Sequence, residues 1–222
     1  MKDLISYSDF TKIEIRLGTI ISAELNNKLL KPSFVLKIDF GDDIDIKKSS
    51  SLSLNYLGND NEIHNYKDTS EFLITIGYVG VTNARKKFID NLDFNNLKLA
   101  KIISPFSIVS KAASIGEGTI IMHGCIIQSD VNISKNCIIN DGCIIEHDCI
   151  IEENCHISTN CTINGNVFVG KNSFIGSASV IKNNLKIGDN CLIGQCSNVL
   201  IDVKKNTKVF GNPAKEKKWK LL

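Results

Sequence analysis

The segment CIINDGCIIEHDCII, residues 137–151, contains one six-residue pattern in successive copies. Ile139, Ile145 and Ile151 take the same place in each copy. When the pattern is extended in both directions, every sixth residue from Val109 to Val199 is Ile or Val, which gives sixteen consecutive positions without a slip of register. This regularity organises the chain.

A period of six fits neither the 3.6-residue period of a helix nor the two-residue period of a strand, and short repeats of this kind indicate a stacked solenoid. Each hexad is expected to form one short strand and one corner. Three hexads then close a triangular coil of about eighteen residues, whose Ile and Val point inward. Because stacked coils pair at a strand spacing of about 4.8 Å, the sequence predicts a parallel β-helix about five coils tall.

The position four residues after each inward residue is mostly small, and seven of the eight cysteines fall there. These seven are Cys125, Cys137, Cys143, Cys149, Cys155, Cys161 and Cys191. A buried thiol behaves as a small hydrophobe, so we interpret them as core residues rather than as disulfide or metal ligands. Only Cys196 lies off this grid.

Composition narrows the class of protein. The 222-residue chain has a formal net charge of +2, which predicts neither a nucleic-acid nor a membrane partner. No apolar run approaches the length of about 18 residues that spans a bilayer, and the N-terminus lacks the apolar core of a signal peptide. A soluble, cytoplasmic protein is therefore expected.

The flanking regions differ from the repeat and suggest four parts. Residues 1–56 alternate apolar and polar side chains, as half-exposed strands do. Residues 57–104 combine a polar linker with a strand–helix–strand pattern, which is half of an α/β nucleotide-binding unit. The β-helix is assigned to residues 105–204, and residues 205–222 form a C-terminal tail.

One constellation could perform chemistry. His147 lies two residues past the inward Ile145, so it is expected near a corner and pointing outward. Gly165 follows eighteen residues later, so stacking places bare backbone beside the imidazole. An imidazole can act as a general base, and a backbone N–H can stabilise an oxyanion, while Asp148 or Glu146 could fix the tautomer. Spacing alone leaves a solvated corner histidine as the alternative.

Residues 72–216 resemble a subfamily of hexapeptide-repeat acyltransferases, the sialic acid O-acetyltransferases and UDP-4-amino-sugar N-acetyltransferases. The resemblance depends on the segments 145–149, 156–158, 165–167 and 211–215. It implies a left-handed parallel β-helix, a homotrimer, acetyl-CoA as co-substrate and active sites in clefts between adjacent prisms. It implies no metal.

The resemblance also implies roles for individual residues. His147 matches the general base, Asp148 the acidic neighbour that raises its basicity, and Asn140 an active-site asparagine. The acetyl group would pass directly to the acceptor without a covalent enzyme intermediate.

Further positions match the binding of the two substrates. The residues matched to acetyl-CoA are His156, Gly165, Ser177 and Gln195. Glu146 and Gly77 are assigned to the acceptor, Gly77 because the segment 77–80 ends a strand that could line a sugar-nucleotide pocket. No Gly-rich phosphate-binding turn precedes residue 72, which departs from the family pattern.

Residues 9–20 and 38–50 resemble the first half of a tRNA-binding, CsaA-type chaperone domain, an OB-fold. Nothing later in the chain resembles the second half of that domain. The chain therefore combines two modules, of which the acetyltransferase module is the more complete.

The sequence favours an acetyl-CoA-dependent sugar acetyltransferase of surface glycan or sialic acid biosynthesis. The alternatives are a nucleic-acid or chaperone-type binding module on a trimeric β-helix and a catalytically impaired structural trimer. A γ-type carbonic anhydrase would need three zinc histidines. His123, His147 and His156 are separated by 24 and 9 residues, spacings that do not stack on an eighteen-residue coil.

Overall fold

The computed structural model describes part of the chain as backbone only and part in full. The backbone is described for 19–26 and 33–39, and all atoms for 63, 65–78, 85, 89 and 97–217. Contacts divide the chain into two units, Met1–Ser70 and Glu71–Leu222, which are treated separately below. Within the described residues, no helix has both the length and the apolar character needed to cross a membrane.

The first unit contains two antiparallel strands. β1 (Thr19–Asn26) pairs with β2 (Ser33–Asp39), with Asn26 opposite Ser33 and Thr19 opposite Asp39. Both strands lie within residues 1–56, where half-exposed strands were predicted. Most of the rest of the OB-like segment lies outside the described residues, so the resemblance to an OB-fold stays a prediction.

The second unit opens with the strand–helix–strand segment. β3 (Leu73–Ile74) follows Phe72, which pairs in parallel with Leu99. The Phe72 N–H donates to the carbonyl of residue 98, at 2.8 Å. Arg85 has helical backbone, between the two strands of the segment, as the strand–helix–strand pattern predicted.

A prism of short parallel strands follows. Its strands are β4 (Ile102–Ile103), β5 (Ile108–Val109), β6 (Ser114–Ile115), β7 (Ile120–Ile121), β8 (Ile126–Ile127), β9 (Asn132–Ile133), β10 (Ile138–Ile139), β11 (Ile144–Ile145), β12 (Ile150–Ile151), β13 (His156–Ile157), β14 (Thr162–Ile163), β15 (Phe168–Val169), β16 (Phe174–Ile175), β17 (Val180–Ile181), β18 (Lys186–Ile187), β19 (Leu192–Ile193), β20 (Asn198–Val199) and β21 (Lys208–Phe210). β22 (Lys215–Glu216) pairs antiparallel to β21 and ends the described structure.

The strands form three flat faces. Face 1 contains β4, β7, β10, β13, β16, β19 and β21; face 2 contains β5, β8, β11, β14, β17 and β20; face 3 contains β6, β9, β12, β15 and β18. Paired residues are eighteen positions apart, as Ile138 with Ile120 and with His156. The predicted triangular coil is therefore confirmed.

The prism is about six coils tall rather than about five. At its start, Ile103 extends the Ile/Val grid by one position, and β4 already pairs with β7. At its end the last coil is shorter: Ile187 pairs with Val203 and Ile193 with Val209, which are sixteen residues apart. Inward residues thus continue past Lys205, in a last coil of sixteen residues rather than eighteen. The parallel strands run from Ile102 to Phe210.

The core is a column of inward Ile and Val flanked by small residues. Ile139, Ile145 and Ile151 are fully buried, as are all seven grid cysteines. The cysteines do more than fill space, because each thiol donates a hydrogen bond to a corner carbonyl. Cys143, for example, donates to the carbonyl of Ser158 at 3.0 Å.

Thr and Ser at equivalent positions make the same bond. Thr119 donates to the carbonyl of Ser134 at 2.8 Å, and Ser179 to that of Gly194 at 2.9 Å. Since a buried carbonyl without a donor is costly, the position favours a small side chain that can donate.

The corners contain a second six-residue signal that the sequence analysis did not use. Every sixth residue from Gly118 to Cys196 has a left-handed φ, between 54° and 69°. Gly, Asn and Asp tolerate this conformation best, and they occupy all of these positions except Ala178 and Cys196. Several of the asparagines also stack, as Asn166 on Asn184, with an Nδ2 to Oδ1 distance of 2.9 Å.

Candidate active site

His147 and Asp148 form a hydrogen-bonded pair at the corner between β11 and β12. The distance from His147 Nδ1 to Asp148 Oδ2 is 2.7 Å, and the side chains are 60% and 59% exposed. Because a carboxylate only accepts, Nδ1 carries the proton and the Nε2 of the neutral ring is left as an acceptor. The hydrogen bond to Asp148 is the main cause that raises the pKa of His147 above its ordinary value.

Gly165 lies against the imidazole, as the coil length predicted. A Cβ at this position would lie 2.7 Å from both Cε1 and Nε2 of His147. The two corners are tied by the Asn166 N–H, which donates to the carbonyl of His147 at 2.9 Å. Among the described residues, none accepts a hydrogen bond from the Gly165 N–H. Nε2 therefore lies against Gly165, a residue whose own N–H is unused within this part of the chain.

The predicted site residues fall on two edges of one face. The His147 edge, between faces 2 and 3, carries His147, Asp148 and Gly165. The Asn140 edge, between faces 1 and 2, carries Asn140, Ser177 and Gln195. β11 crosses face 2 between Asn140 and His147, so one chain does not bring these two side chains together.

The residues of the Asn140 edge have local partners. The Asn140 Oδ1 accepts a hydrogen bond from the Asp141 N–H at 2.9 Å. The Ser177 Oγ lies 2.8 Å from the Oγ of Ser158, one coil earlier, and Gln195 is exposed. Their roles toward acetyl-CoA and acceptor stay predictions.

The two residues assigned to the acceptor lie in different parts of the unit. Glu146 precedes His147, is half-buried and makes a small contribution to raising its pKa. Gly77 follows β3, and a Cβ there would meet no atom of the described residues within 4 Å. This part of the chain therefore leaves open space at Gly77.

His156 takes a position that the sequence did not predict. It lies on β13, only 7% exposed, and its Nδ1 is 2.8 Å from the carbonyl of Tyr78. Its ring packs edge-on against Phe174, with centroids 5.2 Å apart, and burial lowers its pKa. The acetyl-CoA contact assigned to it stays a prediction.

Sequence reasoning missed Tyr78 and Arg85, which join the strand–helix–strand segment to the prism. Their prism partners lie 51 to 96 residues later in the chain, and no spacing rule links them. The only available signal was the basic character of the predicted helix.

No described group of three or more His, Cys, Asp or Glu side chains is arranged to hold a metal ion. His123 is exposed on the Asn140 edge, with its ring centroid 5.7 Å from that of Phe106. His123, His147 and His156 therefore lie on two edges and one face of the prism.

One known protein family matches the repeat region of the chain. The family described as bacterial transferase hexapeptide (six repeats) matches residues 130–165 and 166–200. No curated protein matches the chain.

Solved structures share the fold over most of the chain. PerB from Caulobacter crescentus, in complex with CoA and GDP-perosamine, is 26% identical, with a TM-score of 0.69 over 77% of this chain and 82% of its own. A mutant perosamine N-acetyltransferase from Caulobacter crescentus, also with CoA and GDP-perosamine, is 25% identical, with a TM-score of 0.69 over 77% and 81%.

A third structure supports the fold alone. The acetyltransferase domain of PglB from Neisseria gonorrhoeae FA1090 is 24% identical, with a TM-score of 0.71 over 81% of this chain and 86% of that domain. These likenesses and the three-faced parallel topology establish the predicted left-handed β-helix. Residues 130–200 of this chain thus match the bacterial transferase hexapeptide repeat and fold as coils of that β-helix.

Proposed function

We propose that this protein is an acetyl-CoA-dependent acetyltransferase that acts on a sugar or a nucleotide-linked amino sugar, with His147 as general base. The arrangement of one imidazole carries the proposal: Nδ1 is bound to Asp148 at 2.7 Å, and Nε2 lies against the backbone of Gly165. The transferase repeat supports it, as do two similar structures that contain CoA and GDP-perosamine.

The chemistry is a direct transfer. An acceptor amine or hydroxyl attacks the thioester carbonyl while His147 Nε2 removes its proton, and Asp148 stabilises the imidazolium that forms. The Gly165 N–H donates to the oxyanion of the tetrahedral intermediate. When the C–S bond breaks, the thiolate of CoA takes the proton from His147. One C–N or C–O bond replaces one C–S bond, and the base is regenerated.

The pantetheine arm is proposed to follow the Asn140 edge past Ser177 and Gln195. Two features of that edge support this path. Ala178 and Cys196 hold the left-handed corner conformation, with φ of 57° and 55°, without the Asn, Asp or Gly found at the other such corners. Ala178 also keeps its corner free of a long side chain, which leaves backbone groups open to a ligand.

A homotrimer would complete the site. The first residue of each face 2 strand is uncharged in every coil; these residues are Ile108, Ile126, Ile144, Thr162, Val180 and Asn198. Packing three copies with face 2 toward a common axis would place the His147 edge of one protomer beside the Asn140 edge of its partner. The two sets of predicted residues would then meet in one cleft.

The acceptor is proposed to contact Glu146 near the base and the open space at Gly77. GDP-perosamine in the two similar structures supports a sugar nucleotide as the acceptor class. A cytoplasmic location, where acetyl-CoA is available, belongs to the same proposal.

The test measures CoA release from acetyl-CoA with a panel of acceptors. The panel contains UDP-4-amino sugars, GDP-perosamine, CMP-sialic acid and free sialic acid. Wild type is compared with His147→Ala and with Lys171→Ala, an exposed corner residue on the third edge of the prism, between faces 3 and 1. We expect turnover on one acceptor class, a loss on the order of 10²- to 10⁴-fold in His147→Ala, and none in Lys171→Ala.

Three results would count against the proposal. Turnover that survives in His147→Ala would show that His147 is not the general base. Absence of both turnover and acetyl-CoA binding would favour the binding module or the structural trimer. Binding of acetyl-CoA without turnover on any acceptor would indicate a catalytically impaired trimer.

A further inference from the structure

Arg85 joins the strand–helix–strand segment to the prism through backbone carbonyls. It is only 1% exposed, and its Nη1 donates to the carbonyls of Ile74 at 2.9 Å and Ile76 at 2.6 Å. Its Nη2 donates to the carbonyl of Asn136, a corner residue of the prism, at 3.0 Å. Burial lowers the pKa of Arg85 to about 10, so the group stays charged at neutral pH.

Tyr78 makes a second link one coil further along the same prism edge. Its hydroxyl donates to the carbonyl of Asn154, and its own carbonyl accepts the Nδ1–H of His156 at 2.8 Å. The Tyr78 ring lies 5.4 Å from that of His156 and 6.1 Å from that of Phe174. Burial raises the pKa of Tyr78, so the phenol remains a neutral donor. We call these contacts, together with those of Arg85, the Tyr78 joint; it contains Tyr78, Arg85, Asn136, Asn154, His156 and Phe174.

The joint contains buried polar atoms that lack partners. Among the described residues, the buried side-chain atoms without a hydrogen bond are Thr75 Oγ1, Arg85 Nε, Asn136 Oδ1, Asn154 Oδ1 and His156 Nε2. All of them belong to the joint or to the strand end that it holds. Each such atom loses its hydration on folding without gaining a hydrogen bond, which lowers the stability of the joint.

This buried site favours the neutral ring of His156, because protonation would keep the Nδ1–H bond but add a buried charge. With the proton on Nδ1, Nε2 is a buried acceptor without a donor, and a second proton there would create a buried cation. The titratable groups that act on the joint are Arg85, Tyr78 and the thiols of Cys137 and Cys155. Arg85 is itself a cation, and neutral phenol and thiols cannot offset a second one.

We propose that His156 is a positioning residue, which holds the carbonyl of Tyr78, and with it the neighbouring Gly77, on the prism as long as its ring is neutral. This role replaces the direct acetyl-CoA contact, because the ring is enclosed by Tyr78 and Phe174 and its Nδ1 is already bonded. The link to the acceptor rests on the proposed function, whereas the joint itself does not.

The sign of the pH effect follows from burial. The pKa of His156 is lowered in the folded protein, so the unfolded or opened state binds the proton more readily. Stability of the joint is therefore present above the ordinary histidine pKa of about 6.5 and is lost as pH falls through the range below it. The segment 72–78 should loosen in acid before the prism does.

Amide hydrogen exchange of the full-length protein tests this without any assay of activity. We compare wild type, His156→Phe, His156→Asn and the exposed control His123→Phe at pH 7.5 and 5.5, corrected for intrinsic exchange rates. His156→Phe should exchange about tenfold faster in residues 72–78 at pH 7.5, the effect of one lost hydrogen bond. Wild type should show that loss only at pH 5.5.

The asparagine variant separates the hydrogen bond from packing. Its Nδ2 can donate to the Tyr78 carbonyl but does not titrate, so protection should persist at both pH values. His123→Phe should behave as wild type. Wild-type protection in His156→Phe, or an acid response that persists in His156→Asn, would overturn the proposal.

Steady-state kinetics then distinguishes the two roles. A positioning residue predicts that His156→Phe raises the acceptor KM by about tenfold and leaves the acetyl-CoA KM unchanged. A raised acetyl-CoA KM with unchanged hydrogen exchange would make His156 a cofactor contact. If wild type turns over no acceptor, the proposed function fails. The hydrogen-exchange experiment alone then tests whether His156 holds residues 72–78 on the prism.

Discussion

The imidazole of His147 covers the backbone of Gly165, one coil further along the prism. A Cβ at position 165 would lie 2.7 Å from Cε1 and Nε2 of the ring, closer than side chains pack. The φ of Gly165 lies outside the left-handed region, so its own backbone does not require glycine. The neighbouring imidazole imposes the requirement.

Gly165→Ala should therefore displace the ring. We expect kcat to fall on the order of 10²-fold, because a shift of about 1 Å in a catalytic group has effects of that size. Steady-state kinetics with the accepted substrate measures this. Gly165→Ala should also lower Tm, because the new methyl group clashes with the ring. The double variant His147→Ala/Gly165→Ala is the control: the three nearest atoms all belong to that ring, so the loss in Tm should disappear. An unchanged kcat in Gly165→Ala would show that the new methyl group does not displace the His147 ring.

Asp148→Asn should change the pH dependence of the reaction. Asp148 has a φ of 60°, and asparagine holds this conformation at seven of the equivalent corners, so the backbone is not disturbed. Loss of the carboxylate removes the main cause of the raised His147 pKa, which should fall toward about 6.5. Because a base must be unprotonated, the acid limb of kcat/KM should move to lower pH, with a plateau at least about tenfold lower.

Asp130→Asn is the matched control for that experiment. Asp130 is exposed one coil earlier on the same edge, with a φ of 59°, so it carries the same substitution without a histidine beside it. Its pH profile should equal that of wild type. An acid limb that stays in place in Asp148→Asn would show that Asp148 does not tune the base.

The grid cysteines should behave as hydrogen-bond donors. Cys143→Ala leaves the buried carbonyl of Ser158 without its thiol donor and should destabilise the protein by about 1–3 kcal/mol. Cys143→Ser should cost less, because Ser179 makes the equivalent bond at 2.9 Å. The midpoint of urea unfolding measures both. Equal losses for the two variants would favour a purely hydrophobic role for the thiol.

Ala178 offers a test of the proposed cofactor path. Ala178→Gly and Ala178→Asn should each stabilise the fold by about 1 kcal/mol, because both residues accept the left-handed conformation better than alanine. Their effects on acetyl-CoA should differ: asparagine would obstruct the pantetheine arm and raise its KM, while glycine would not. Equal KM values for the two variants would place the arm elsewhere.

The fold was predictable from sequence because a β-helix is nearly one-dimensional. Each hexad contacts hexads one coil away, so a rule of eighteen residues replaces long-range information. The same rule placed His147 beside Gly165 and the cysteines in the core. The Asn, Asp and Gly residues at every sixth position were an equally strong signal. The shortened last coil was not predictable, since the six-residue register ends at Val199 and only the pairings of Val203 with Ile187 and of Val209 with Ile193 show that the core continues.

The sequence by itself determined which side chains point inward and which corners stack, because both depend on a single repeated distance along the chain. Tertiary structure alone decided what covers His156 and where Arg85 goes. Arg85 binds carbonyls of Ile74, Ile76 and Asn136, and no periodic pattern brings these residues together. A buried guanidinium needs several acceptors at once, and only the packed arrangement of strand, helix and prism supplies them.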